Sequence, residues 1–216
     1  MPNWCCTNYC IRGKKDELEE FARTLNTMEN HSRGFDRFWL GNILIHFGMT
    51  YEEVEKGDIH CRGTFDPNFY ARARLRGPDV DRKKEFSVDD DGLLRLSTVS
   101  AYFRCGQLEE IIKEHFPSLE FFWTETDEFG NFHDLHDPED IAKFPHFIIN
   151  DEEGTHEYGR DGFSSFIGRL RDDTPGLDIP KDADAGTLRS EEFFRKYDKW
   201  SRRTGKHIHF IIYSTF

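Results

Sequence analysis

The first apolar positions of the chain, in NWCCTNYCIRG (3–13), suit an extended strand. Read that way, Trp4, Cys6 and Cys10 face one side, Cys5, Thr7, Tyr9 and Ile11 face the other, and Gly13 ends the run. The period then lengthens. Leu18, Phe21, Ala22 and Leu25 recur at i, i+3, i+4 and i+7, which predicts an amphipathic helix with Asp16 and Glu19 as a capping box at its start. LGNILIHFG (40–48) and TYEEVEKG (50–57) predict short helices, the second opened by a Thr50–Glu53 capping pair. GTFDPN (63–68) predicts a turn, and FYARARLRG (69–77) alternates Ala71, Ala73 and Leu75 with Arg72, Arg74 and Arg76, a half-exposed strand. DDDGL (89–93) turns the chain into LLRLSTVSAYF (93–103), a further strand. A helix follows from about Gly106 to Phe116, with Leu108, Ile111, Ile112 and Phe116 on one side, and Pro117 stops it. SLEFFWTET (118–126) is then a strand with an apolar centre.

Strand, helix, two strands, helix, strand is the ferredoxin-like βαββαβ order, here with a helical insertion over about residues 30–62. The expected fold class is therefore α+β, with this core in residues 1–138 and an α/β extension in residues 139–216 packed against it. In the extension, KFPHFIIN (143–150) and the following EEGTHEYG predict a hairpin. Phe163, Phe166, Ile167 and Leu170 fall at helical spacing, and a loop rich in Pro, Gly and Asp spans residues 172–186. A last helix turns Phe193, Tyr197 and Trp200 inward and closes at Gly205, before the apolar strand KHIHFIIYSTF.

Composition adjusts this picture in two places. Hydrophobic residues make up only 37% of the chain, but 21 Phe, 7 Tyr and 4 Trp supply enough buried area for a core. No apolar run approaches the ~20 residues that span a bilayer, and the start lacks a basic-then-apolar leader. The expected setting is the reducing cytoplasm, where the five cysteines stay thiols. A formal net charge of −12 disfavours binding to duplex nucleic acid. Residues 105–140 hold eleven acidic side chains against one basic, and residues 70–84 hold six basic against two acidic. Both stretches read first as solvated faces.

Three cysteines within six residues invite a metal reading. Along a strand, however, Cys6 and Cys10 lie about 13 Å apart. Two thiolates on one zinc each sit about 2.3 Å from the ion, so this pair cannot share it, and a disulfide fails for the same reason. All three read as small buried hydrophobes.

The opening residues also carry a likeness. MPNWC, with Gly13 ending the first strand, resembles the YubB ferredoxin-like domain family of plasmid, phage and related mobile-element proteins. Asn3, Trp4, Cys5 and Gly13 match its motif, whereas Thr7 stands where the family has Asn, with Asn8 one place later. LEEIIKEHFPSLEFFWTETDEFGN (108–131) is similar to the family's second helix, FP-x-L corner, aromatic strand and acidic turn. RGTFD (62–66) corresponds more loosely to a third segment, and the likeness covers about residues 1–135. The resemblance implies a fold and a mobile-element setting, and no catalytic residues. It also implies that of the three clustered cysteines only Cys5 belongs to the motif.

Candidate chemistry is sparse. NFHDLHDPED (131–140) offers His133, Asp134, His136 and Asp137 as ligands for a divalent metal. On a helix His133, His136 and Asp137 would share a face, and in a strand the two histidines would point apart. The FGN turn before and the Asp-Pro after predict a loop, with an acidic surface loop the simpler reading. His207 and His209 share one face of the last strand, a spacing suited to chelation and equally to histidines bonded to backbone. Cys105, beside Arg104 and ahead of a helix, has the setting of an activated thiol, but no phosphatase-type C-x5-R follows. Arg72, Arg74 and Arg76 could hold the phosphates of a single strand, or simply guard a sheet edge against aggregation. No motif calls for a cofactor, and a divalent metal is the one for which ligands are present. The favoured reading is a non-catalytic binding or accessory module with a protein partner. A metal-dependent hydrolase using residues 133–137 and a single-stranded nucleic-acid binder using the arginine strand are the alternatives.

Overall fold

The computed structural model describes residues 4–33, 37–56, 62–67, 85–101, 104–127 and 133–215. It is a mixed α+β protein whose chain divides into two compact units, residues 1–137 and 138–216. No helix among the described residues is long and apolar enough to cross a membrane.

The first unit contains β1 (Trp4–Arg12), α1 (Lys15–Thr27), α2 (Gly41–His46), α3 (Tyr51–Lys56), β2 (Gly63–Asp66), β3 (Leu94–Ala101), α4 (Gly106–His115), β4 (Glu120–Asp127) and β5 (His133–His136). Its strands lie in the order β2-β3-β1-β4-β5, and each neighbouring pair is antiparallel. One face of β1 sends Tyr9 and Ile11 into a core shared with Leu94, Leu96 and Phe121, covered by Leu18, Phe21 and Leu25 of α1 and Leu108 and Ile112 of α4. The other face carries a buried polar ladder. Ser97 donates to Asn8 Oδ1 at 2.7 Å, and Asn8 donates to Thr124 Oγ1 at 3.4 Å, which joins three strands side by side. Sequence pattern marked none of these three residues.

The insertion docks on β2 through backbone bonds, Leu40 N to Gly63 O and Phe65 N to Phe38 O. Gly63 is needed there, because a Cβ would sit 2.2 Å from the Val99 carbonyl oxygen across the strand pair. The expected Thr50–Glu53 capping box is present, with the Thr50 amide donating to Glu53 at 2.7 Å and the Glu53 amide to Thr50 Oγ1 at 3.3 Å. The Asp16–Glu19 box is not. Helix α1 starts at Lys15 without a side-chain cap, and a tertiary contact fixes its entry instead. Lys14 N donates to Ser118 Oγ, and Ser118 N donates to Glu17.

The second unit contains β6 (Phe147–Asp151), β7 (Gly154–Tyr158), α5 (Phe163–Asp173), α6 (Ala185–Arg189), α7 (Glu191–Thr204), β8 (His209–Ile212) and the short β9 (Ser214–Thr215). β6 runs antiparallel between β7 and β8. Phe166, Ile167 and Leu170 of α5 and Phe193, Tyr197 and Trp200 of α7 form its core with Phe147 and Ile149. Ser190 caps α7 by accepting from the Phe193 amide, and Gly205 ends it with φ +70°.

A charged hub ties the β6–β7 turn to α5. Arg169 donates to Asp151 at 2.6 Å, Glu153 at 2.7 Å and Asp173 at 3.0 Å, and His156 Nε2 lies 3.2 Å from Asp151. Burial alone would raise the Asp151 carboxyl. Hydrogen bonds from Arg169 and the Glu153 amide, with the nearby His156, outweigh it and hold the pKa at about 2. An unfolded Asp titrates near about 3.9. Asp151 therefore contributes stability that is complete above the unfolded value and is lost as pH falls from about 4 towards 2. Acid unfolding followed by circular dichroism is expected to show this loss, and Asp151→Asn is expected to flatten it. Identical acid profiles for the two proteins would contradict the assignment.

Candidate functional site

A linked set of polar side chains lies where the start of β1, the end of β4 and the β3–α4 junction meet. Cys5, fully buried, donates from Sγ to Glu125 Oε1 at 2.9 Å. The same oxygen accepts from the Arg104 amide at 2.9 Å, and Arg104 Nε is 3.8 Å from Glu125 Oε2. Arg104 Nη1 is hydrogen-bonded to Glu109, which also accepts from Tyr9 Oη at 2.7 Å. Above this, the Arg104 guanidinium lies 4.1 Å from the Trp123 ring centroid. Trp123 in turn stacks on His136, its neighbour across the β4–β5 pair, at 5.7 Å.

One guanidinium thus faces two carboxylates that are largely shielded from water, Glu109 at 13% and Glu125 at 10% side-chain exposure. Burial works against the Arg104 charge, but Glu109, Tyr9 and Glu125 outweigh it and raise its pKa. The Tyr9 hydroxyl is pushed well above its usual value, by burial first and then by Glu109. The Cys5 thiol is pushed far up by burial and by Glu125, to which it must give its proton to form the observed bond. Cys105 occupies the N-cap position of α4, where its carbonyl accepts from the Leu108 and Glu109 amides but its thiol does not cap the helix. Burial raises its pKa to about 11, although a hydrogen bond with Ser100 and the nearby Arg104 pull the other way. An activated nucleophile needs the opposite shift. Cys6 and Cys10 are likewise raised to about 11, mainly by burial.

The predicted metal ligands fall into different positions. Residues 133–136 are strand β5 rather than the expected loop, paired with β4 from Trp123↔His136 to Thr126↔His133. Strand alternation puts Asp134 and His136 on the face of Glu125 and Trp123, and His133 on the opposite face with Leu135. Asp137, just beyond the strand, is buried. In the second unit, His207 is exposed ahead of β8 with its ring edge-on to Tyr197 at 6.0 Å, and His209 opens β8 opposite Asn150. Among the described residues no group of three or more His, Cys, Asp or Glu side chains is placed to hold a metal ion. Arg72, Arg74 and Arg76, and Asn3 of the opening motif, lie outside the described residues.

Two of the remaining motif positions, Cys5 and Gly13, have clear structural roles. Cys5 anchors the cluster above, and Gly13 allows close approach to the FP-x-L corner. A Cβ on Gly13 would lie 2.7 Å from Leu119 Cδ2 and 3.1 Å from the Ser118 carbonyl oxygen. Comparison of the chain with protein-family profiles, curated proteins and solved structures gave no match.

Sequence reasoning missed Glu109 and Glu125, which it placed in a solvated acidic stretch. The available signal was Arg104, the one basic residue beside that stretch and next to Cys105.

Proposed function

We propose that this chain is a non-catalytic binding or accessory module with a ferredoxin-like core, of the kind carried by mobile genetic elements. The observation that carries the reading is the self-contained bonding of the Arg104 cluster. Each charged group in it is matched by another member, and its thiols are held protonated. A reacting site keeps a group poised for substrate, whereas this arrangement spends its donors and acceptors on holding β1, β4 and α4 together.

Two further features support the family setting. The strand order β2-β3-β1-β4, antiparallel throughout and covered by α1 and α4, suits a ferredoxin-like core whose second strand is Gly63–Asp66, where a turn was expected; the strand expected over 69–77 lies outside the described residues. Gly13 and the FP-x-L corner, the two segments that carry the YubB resemblance, touch each other. A partner protein remains the favoured ligand.

The rival reading, a metal-dependent hydrolase, is tested by the metal content of untagged protein measured by mass spectrometry. The module reading predicts background levels of zinc, iron and manganese per chain. Near-stoichiometric metal that is lost in His133→Ala or His136→Ala would overturn it.

A further inference from the structure

Outside the Arg104 cluster, the most unusual surface in the described structure belongs to α7. Phe194 is the only large hydrophobic side chain that stands exposed among the described residues, at 48%. It is not loose. Its ring stacks on Phe210 of β8 with centroids 6.1 Å apart and planes 5° from parallel, and Phe210 itself packs edge-on against Tyr197. One flat aromatic face is thus held in position and turned to solvent.

The same helix carries the opposite charge to the rest of the chain. From Glu191 to Lys206 there are six basic and three acidic residues, within a protein of net charge −12. With Phe193, Tyr197 and Trp200 turned inward, Arg195, Lys199 and Arg202 fall on the outer side over about two turns. Arg203 and Lys206 extend the exposed basic run towards Gly205. Arg195 and Arg202 pair with Glu191 and Asp198 at i, i+4, but both pairs are exposed and exchange readily for a stronger anion.

A fixed aromatic shelf beside a cationic stripe is the combination that holds single-stranded nucleic acid, with bases stacking on the ring and phosphates following the charges. An acidic peptide would use the stripe and leave the shelf without a role. A duplex hides its base faces and meets the full negative charge of the chain. We infer that α7 and Phe210 form a docking surface for single-stranded nucleic acid, with Phe194 as the base-stacking residue and Arg195, Lys199 and Arg202 as phosphate contacts. The inference goes beyond the binding-module reading, adding a second ligand at α7 to the protein partner proposed above. It is also distinct from any use of Arg72, Arg74 and Arg76.

The test is fluorescence anisotropy of the full chain with a labelled oligothymidylate and, separately, a labelled oligouridylate. Saturable binding to at least one is expected, and the comparison tells DNA from RNA. Between about 50 and 200 mM salt, three phosphate contacts give a log–log slope near about −2. Phe194→Ala is expected to weaken binding about tenfold and leave that slope unchanged. Combined Arg195→Gln, Lys199→Gln and Arg202→Gln is expected to flatten the slope. All these side chains are exposed, so an unchanged melting temperature checks that the variants fold. No saturable binding, or binding that neither variant alters, overturns the inference. So does equal competition by polyglutamate with a silent Phe194→Ala, which would indicate an acidic protein partner. None of these results bears on metal content, so the module reading stands or falls separately.

Discussion

Replacing Arg104 with Met is expected to cost the first unit about 3–5 kcal/mol, the range for removing one partner of a buried ion pair. Glu109 and Glu125 would then be left without their cation in a site where both are mostly shielded from water. The Arg104 stack on Trp123 would also be lost. The cost should show as a fall in the urea midpoint at neutral pH, and it should shrink as acid protonates the stranded carboxylates. Adding Glu109→Gln and Glu125→Gln to the same chain should recover most of the loss, because no uncompensated charge then remains. A change below about 1 kcal/mol in the single variant would mean that the three groups behave as an ordinary surface pair.

Trp200→Ala is expected to be comparably severe for the second unit, about 3–5 kcal/mol for a large aromatic removed from a packed core. Trp200 is 2% exposed, packs against Tyr197, and donates from Nε1 to the Pro175 carbonyl at 3.0 Å. That bond also fixes the loop between α5 and α6, so the substitution removes packing and a loop anchor together. Hydrogen exchange read at the amides of β6 and α5 should show sharply reduced protection. Trp200→Phe should lie between the two, keeping much of the volume while leaving the Pro175 carbonyl without its donor. Unchanged protection in Trp200→Ala would remove Trp200 from the centre of that core.

What the sequence made legible follows from the range of the forces involved. Helices α1, α4, α5 and α7 were readable because each buries one stripe at a period of 3.6, a property of contiguous residues. The Thr50–Glu53 box and Gly205 are also local, needing only their own backbone. The start of α1 was not, because the Ser118 hydroxyl that receives the Lys14 amide lies 104 positions away. The HDLH segment looked like a loop because four residues between a turn and a proline carry little strand signal of their own. Its conformation comes from pairing with β4.

The candidate site divides the same way. Cys5 could be singled out from its motif and Cys105 from its place between a strand and a helix. Their protonation could not be read, since it depends on burial and on Glu125, which is 120 positions from Cys5. Glu109 and Glu125 look like any other member of an acidic stretch until α4 and β4 are packed against β1. The Ser97–Asn8–Thr124 ladder joins three strands and has no local signature at all.

Whether the Arg104 cluster holds the fold or performs chemistry is decided most directly by thiol reactivity. The folded chain would be treated with iodoacetamide near about pH 8, where an ordinary free thiol reacts readily, and each cysteine followed by mass spectrometry. With the Cys5 proton committed to Glu125 and Cys105 raised to about 11, both should stay unlabelled until denaturant is added. Labelling of Cys105 or Cys5 in the folded chain faster than a free thiol would contradict a structural role and mark an activated nucleophile.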